Sequence, residues 1–185
     1  RIMDHEEMTW ALIAAAATKT ENDRIKKEES EKKANDKASL PARFPYLKQG
    51  SGVVAGAANI RIELKRAFPA VKFSVKSEHR GSSSINIGWT DGPTTEQVEK
   101  ITGKYQEGNF NGMEDIYEYN HGNWPEVFGG ARYVFENRHE SMELILKAAK
   151  EMGIELPAGE SDNNGRLPGL DDDRSHMIYR KARTM

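Results

Sequence analysis

Cysteine is absent from the 185 residues, which excludes disulfides, thiolate metal sites and thiol nucleophiles together and fits a reducing cytosol. Long apolar runs are missing as well. The densest block, Trp10 to Ala17, falls well short of the roughly 20 residues that a membrane span requires. It also follows Asp4, Glu6 and Glu7, so it reads as neither a signal peptide nor an anchor, and no membrane partner is expected. Net charge is nearly absent: a formal −2 gives the molecule as a whole no nonspecific attraction to nucleic acid. With 37% hydrophobic and 30% charged residues the composition is more polar than that of an ordinary globular domain. One compact unit with arms or tails outside its core is the expectation. The chain begins on Arg1, as a trimmed piece of a longer protein would.

What charge there is has been sorted. From Arg43 to Arg80 basic residues dominate, with only Glu63 and Glu78 opposing them, whereas from Asp91 to Glu126 acidic residues face only Lys100 and Lys104. Such a division can steer a charged partner or let two halves of one fold attract each other, and the second reading is the simpler.

Local patterns divide the chain into a helical arm over 1–40, a linker over 41–56, an α+β domain over 57–157 and an irregular tail over 158–185. From His5 to about Ala34 there is no Pro or Gly, and Asp4 is a suitable N-cap, so a single helix is predicted. Met8 and Leu12 form a short apolar stripe at its start, suited to docking a partner or a second copy, but no sustained seam for a coiled coil follows. Pro41, Pro45, Gly50 and Gly52 mark the linker. A helix from about Ala55 to Ala67 places Ile60, Leu64 and Phe68 on one face and Arg61 with Lys65 on another. Val71, Phe73 and Val75 then alternate with Lys72, Ser74 and Lys76; Ile85, Ile87 and Trp89 alternate with Ser84, Asn86 and Gly88. That period of two predicts a hairpin with one buried and one wet face.

Asp91-Gly92-Pro93 stops the second strand, and Thr94 or Thr95 caps a helix carrying Val98 and Ile101. A short helical turn is expected around Met113 to Tyr119, a third strand at Ala131 to Glu136, and a helix from Ser141 to Met152. The result is α+β, a small, mainly antiparallel sheet with helices on one face, preceded by a long N-terminal helix. The other sheet face would present Lys72, Ser74, Lys76, Asn86 and Gly88.

No complete catalytic, metal or cofactor motif accompanies this framework, so no reaction and no cofactor are assigned. Gly50 to Gly56 before a helix has the wrong spacing for a dinucleotide loop and lacks the Lys-Ser/Thr ending of a P-loop, which leaves a flexible linker as the reading. His139-Glu140 with Glu143 lacks the second histidine of a zinc helix and reads as an acidic helix start. His5, His79, His121 and His176 show no paired spacing. Asp171, Asp172 and Asp173 lack the alternation and glycine of a calcium loop and read as solvated tail. Ser82 to Ser84 have no visible His-Asp partners. A nucleic-acid platform around Arg61, Lys65, Lys72, Lys76 and Arg80 has the cations, but Phe73 and Trp89 fall on the apolar face, which removes the stacking rings.

Four ordered blocks carry a resemblance: Ala58 to Lys65, Phe68 to Val75, Ile87 to Thr94, with its Gly-Trp-Thr-Asp-Gly-Pro core, and Phe128 to Phe135. Over about Ala57 to Arg138 the chain resembles the large polyvalent protein-associated domain of the twenty-ninth type, found in phages, prophages and conjugative plasmids. The resemblance supplies no catalytic residues. It implies a phage or plasmid protein acting in the host cytoplasm, a counter-defence protein that binds and inhibits a restriction or CRISPR component, that is, a host defence protein or its nucleic-acid complex. Two alternatives stay open: a nucleic-acid-binding accessory protein of a mobile element, and a nucleotide- or nucleic-acid-processing enzyme. For the binding readings the surface residues are Lys72, Ser74, Lys76, Asn86, Arg61 and Lys65, with Met8 and Leu12 for a partner or a homodimer through the N-terminal helix.

Overall fold

A computed structural model describes residues 5–79, 83–111, 113, 116–119, 122–156 and 166–185; the side chains of 5–15, 109–111 and 116–119 are also outside it. Two units result, Arg1–Pro45 and Tyr46–Met185. The first is essentially one helix, α1 (His5–Arg43), which runs past the predicted helix end at about Ala34 and carries Pro41 within its last turn. Pro41 has no amide to donate to the Lys37 carbonyl, so one helical bond is missing in that turn. Residues 16–38 are all exposed, and Arg24 pairs with Glu21 at 2.7 Å and Glu28 at 3.8 Å. Helix propensity and such one-turn pairs, not burial, account for this segment. The side chains of Met8 and Leu12 lie outside the described residues.

In the second unit α2 (Gly52–Ala67) opens three residues before the predicted start. Val53, Gly56 and Ala57 are buried, so the supposed linker is in part core. β1 (Ser74–Glu78) and β2 (Ser84–Thr90) form the predicted hairpin, Val75 opposite Ile87 and Lys76 opposite Asn86. α3 (Thr95–Thr102) begins on a capping box in which Thr94 and Gln97 exchange hydrogen bonds, and a 3₁₀ turn, Gly103–Tyr105, follows. Between these and the third sheet strand lie β3 (Gly108–Asn111), paired antiparallel with β4 (Ile116–Tyr119), and α4 (Trp124–Phe128). The helical turn expected at Met113 to Tyr119 is therefore a strand at its end, where Ile116-Tyr117-Glu118-Tyr119 is rich in residues that suit a pleated surface.

β5 (Tyr133–His139) completes a three-stranded sheet in the order β1-β2-β5, and it runs parallel to β2. The sheet is thus mixed within an α+β fold. α5 (Met142–Glu151) lies within the predicted helix, and Ser141 caps it. The tail is not irregular: α6 (Asp172–Thr184) starts on Asp171, whose carboxylate accepts from the Arg174 amide at 2.8 Å. Ile178 and Ala182 bury against Ile145, Ala148, Ala149 and Leu167, a small core of its own.

The join between α2 and α4–β5 is unusually close. Gly129 has φ +79, and a Cβ there would overlap the Gly56 amide and the Gly52 carbonyl; a Cβ on Gly56 would lie 2.9 Å from the Gly130 nitrogen. Glycine is required on both sides of this contact. Asn59, fully buried on the same helix, accepts from the Lys48 amide at 2.9 Å and donates to the Lys48 carbonyl at 2.8 Å and the Phe128 carbonyl at 2.7 Å. Asn59→Ala leaves those three backbone groups without their partner, so equilibrium unfolding should show a loss of about 3 kcal/mol or more. A loss below about 1 kcal/mol would show that water or a neighbour replaces the amide.

Candidate functional site

β-Pairing places residues of the three strands in rows on each sheet face, because paired residues point the same way. On the helix side Val75, Ile85, Ile87 and Trp89 are buried, with Val134 continuing the layer on β5. Trp89 donates its indole N–H to the Pro93 carbonyl at 2.9 Å, so the inward ring also closes the Asp91-Gly92-Pro93 corner. The corner is held from the other side too: the Asp91 amide donates to the His139 carbonyl at 2.9 Å, and its carboxylate accepts from the Ser141 amide at 2.8 Å. Arg138 donates to the Gly92 carbonyl at 3.2 Å and to the carbonyls of Ala182 and Arg183 at 3.3 and 2.7 Å, fastening the end of α6 to this turn.

The opposite face is open. Glu78, Ser84 and Tyr133 form one row across the sheet, Lys76, Asn86 and Phe135 the next, and Ser74, Gly88 and Asn137 the third. Thr90 pairs with His139 beyond them, and Lys72 precedes β1 by two residues. Rows are about 7 Å apart along the strands, and the face is about 10 Å wide between its outer strands. A trough of about 850 Å³ occupies the Lys72–His139 end, with Gly88 in its floor.

Lys72, Ser74, Lys76 and Asn86 are therefore brought together as the alternation predicts. Arg61 and Lys65 are not part of this group. Arg61 donates to the Val75 carbonyl at the margin of β1, and Lys65 is exposed on α2, which packs against the buried layer. Arg80 falls outside the described residues.

The expectation that no ring reaches this face is overturned. Tyr133 and Phe135 stack here with centroids 6.0 Å apart and planes inclined by 15°; the Arg132 guanidinium lies 5.4 Å from the Tyr133 ring, and Phe135 is 47% exposed. Sequence alternation alone could not fix this phase, since Tyr133-Val134-Phe135 is apolar on both sides. The pairing of Val134 with Ile85, a buried residue of known face, is the signal that decides it.

Other polar clusters are internal. Glu63, 8% exposed, accepts from the Tyr105 hydroxyl at 2.6 Å, the Tyr46 hydroxyl at 3.4 Å and the Lys104 ammonium at 2.7 Å. Burial pushes the Tyr105 phenol far up, helped by its hydrogen bond to Glu63, and burial with the Glu63 charge raises Tyr46 as well. Both hydroxyls remain donors, which suits a structural clamp on a buried carboxylate. His139 ends β5 on the open face, while Glu140 lies 3.5 Å from Arg183 and Glu143 occupies the first turn of α5. Among the described residues no group of three or more His, Asp or Glu could hold a metal ion, and no helix is long and apolar enough to cross a membrane.

Glu136 lies on the helix side of β5 and accepts from the Thr102 hydroxyl. Burial raises its carboxyl above the ordinary range against the lowering effect of that hydrogen bond, with the Glu99 charge adding to the rise. The folded protein thus holds this proton more tightly than the unfolded chain. The linked stabilisation is complete below the unfolded carboxyl value and is lost as pH rises through the folded one. Glu136→Gln, which keeps the acceptor, should raise the melting temperature at neutral pH, with the gain shrinking as pH falls into the carboxylate range. A gain independent of pH would contradict this assignment.

Compared with known proteins, the chain matches no curated protein and no solved structure. A family model does match it, over a stretch that begins at α2 and ends just before α5, so the open sheet face, the glycine contact and the Trp89 corner all lie within it. The matching model is that of the Large polyvalent protein associated domain 29, and the match covers residues 52–141.

Proposed function

We propose that this is an accessory protein of a phage or other mobile element that holds nucleic acid on the open face of its sheet and acts by binding. The domain match implies the phage or mobile-element setting. The observation that carries the reading is the row Lys76, Asn86, Phe135: a cation for phosphate, an amide for base edges and an exposed ring, aligned across three strands. Lys72 adds a second cation at the trough. On the open face itself Lys72 and Lys76 are opposed by Glu78 at the far end of β1.

A second reading is a counter-defence inhibitor that uses the same face on a host restriction or CRISPR component. It is favoured by the mobile-element setting and by the acidic run from Asp91 to Glu126, which opposes nonspecific binding to nucleic acid. Salt separates the two. Binding that depends on two phosphate contacts should fall with a log–log slope in salt of about −1.4 for a single strand and about −1.8 for a duplex, whereas a packed protein interface is far less sensitive.

Lys72→Glu with Lys76→Glu should weaken retention of a labelled oligonucleotide at least tenfold and bring the salt slope close to zero, because both side chains are exposed and neither supports the core. Unchanged retention by the double variant would remove this reading. No retention by the unaltered chain, together with a salt-tolerant complex with a purified defence nuclease and loss of its cleavage, would establish the inhibitor instead.

A further inference from the structure

The ring stack and the glycine floor narrow the chemistry of the ligand. Gly88 lies inside the central strand, on the open face, where a side chain would ordinarily add packing and β-propensity. Among the described residues nothing demands glycine here. Its φ is not in the left-handed region, and a Cβ would meet only the Asn137 carbonyl oxygen at 3.9 Å, an ordinary contact. This differs from Gly129 and Gly56, where the backbone of another element fills the space. A glycine that the fold does not require leaves a flat floor between Ser74 and Asn137, deep enough for a planar group to lie against the sheet backbone.

One row away, Phe135 stacks on Tyr133, whose ring lies 5.4 Å from the Arg132 guanidinium, and Phe135 is itself exposed. Holding an aromatic ring in place before a ligand arrives removes the ordering cost of stacking on it. Lysines 76 and 72 stand across the sheet from this stack, one in the Phe135 row and one beyond the glycine row. Paired bases in a duplex are stacked on each other and offer no free π-face at such a surface, whereas an unpaired strand does.

We infer that the open face, read as a nucleic-acid surface, takes a single strand: one base stacks on Phe135, its neighbour lies on the Gly88 floor, and Lys76 and Lys72 meet the phosphates. This rests on the nucleic-acid reading above and goes beyond it by excluding the duplex as the preferred ligand. Spacing supports two adjacent bases, since the two rows are about 7 Å apart. The contacts are to π-faces and phosphates, so both ribose and deoxyribose strands fit and little sequence preference is expected.

Fluorescence anisotropy of the full chain with labelled single strands of about 20 deoxythymidines or uridines, and with a mixed-sequence duplex of equal length, provides the test. The expected result is single-strand binding at least tenfold tighter than duplex binding. Gly88→Val should keep the melting temperature or raise it, yet weaken single-strand binding at least tenfold by filling the floor. Phe135→Ala should weaken it similarly with the salt slope unchanged, and Phe135→Tyr should restore it. If single strand and duplex bind alike, and Gly88→Val and Phe135→Ala have no effect while the lysine charge reversals do, the face is a general phosphate surface and the inference fails although the nucleic-acid reading stands. If no strand binds the intact chain, both fail. If only the deoxyribose or only the ribose strand binds, the single-strand inference holds and the sugar is selected.

Discussion

The approach of the α2 backbone to Gly129 and Gly130, locked by Asn59, is the constraint on which the rest of the second unit depends. Side chains cannot separate these segments: the Gly130 amide donates to the Gly52 carbonyl at 3.3 Å, and Asn59 bridges Lys48 to Phe128 from within the core. β5 begins three residues after Gly130, so this contact fixes where the strand enters the sheet. In a strand a shift of one residue exchanges the two faces. The placement of Gly130 therefore puts Val134 and Glu136 under the helices and Tyr133 and Phe135 in the open. A buried amide and three glycines, none of which touches a ligand, decide which side chains the surface offers.

The far end of the face is anchored by a second device. The Asp91-Gly92 corner adopts positive φ at both residues, 56° and 72°, and is clamped to His139, to Ser141 and to Trp89 through Pro93. Arg138, the neighbour of His139 on the other side of the strand, carries the clamp to the end of α6. The trough near Thr90 and His139 is consequently built on backbone that several elements hold at once. Rigid support of this kind suits a surface that recognises by stacking, because a ring that has to be immobilised during binding contributes less affinity.

Much of this architecture is legible in the residues. Alternation from Val71 to Trp89 gives the hairpin and its buried side, Thr94 and Ser141 give two helix starts, and Gly92-Pro93 gives the corner. What is not legible arises from partners distant in sequence. β5 reads as apolar on both sides, and only its pairing with Ile85 sets its phase. The parallel arrangement follows from the long path through β3, β4 and α4, which no local pattern encodes. α6 escapes because its buried positions include Ser175 and Ala182, small residues that create no apolar stripe, while Asp171 and its neighbours resemble a solvated tail. The glycines from 50 to 56 read as a flexible linker for the same reason. Gly56 serves close backbone packing and Gly52 a positive φ of 79°, and the surface Gly56 packs against lies more than seventy residues away.

The proposed site is the open face of β1-β2-β5, and the proposed ligand is an unpaired strand. Backbone amide shifts of isotopically labelled protein, followed by NMR during titration with a short single strand, test this most directly. The largest changes are expected at Lys72 to Lys76, Asn86 to Thr90 and Phe135 to His139, with α2, α5 and α6 little affected. Saturable changes centred on α1 or α6, with the sheet face unmoved, would contradict this.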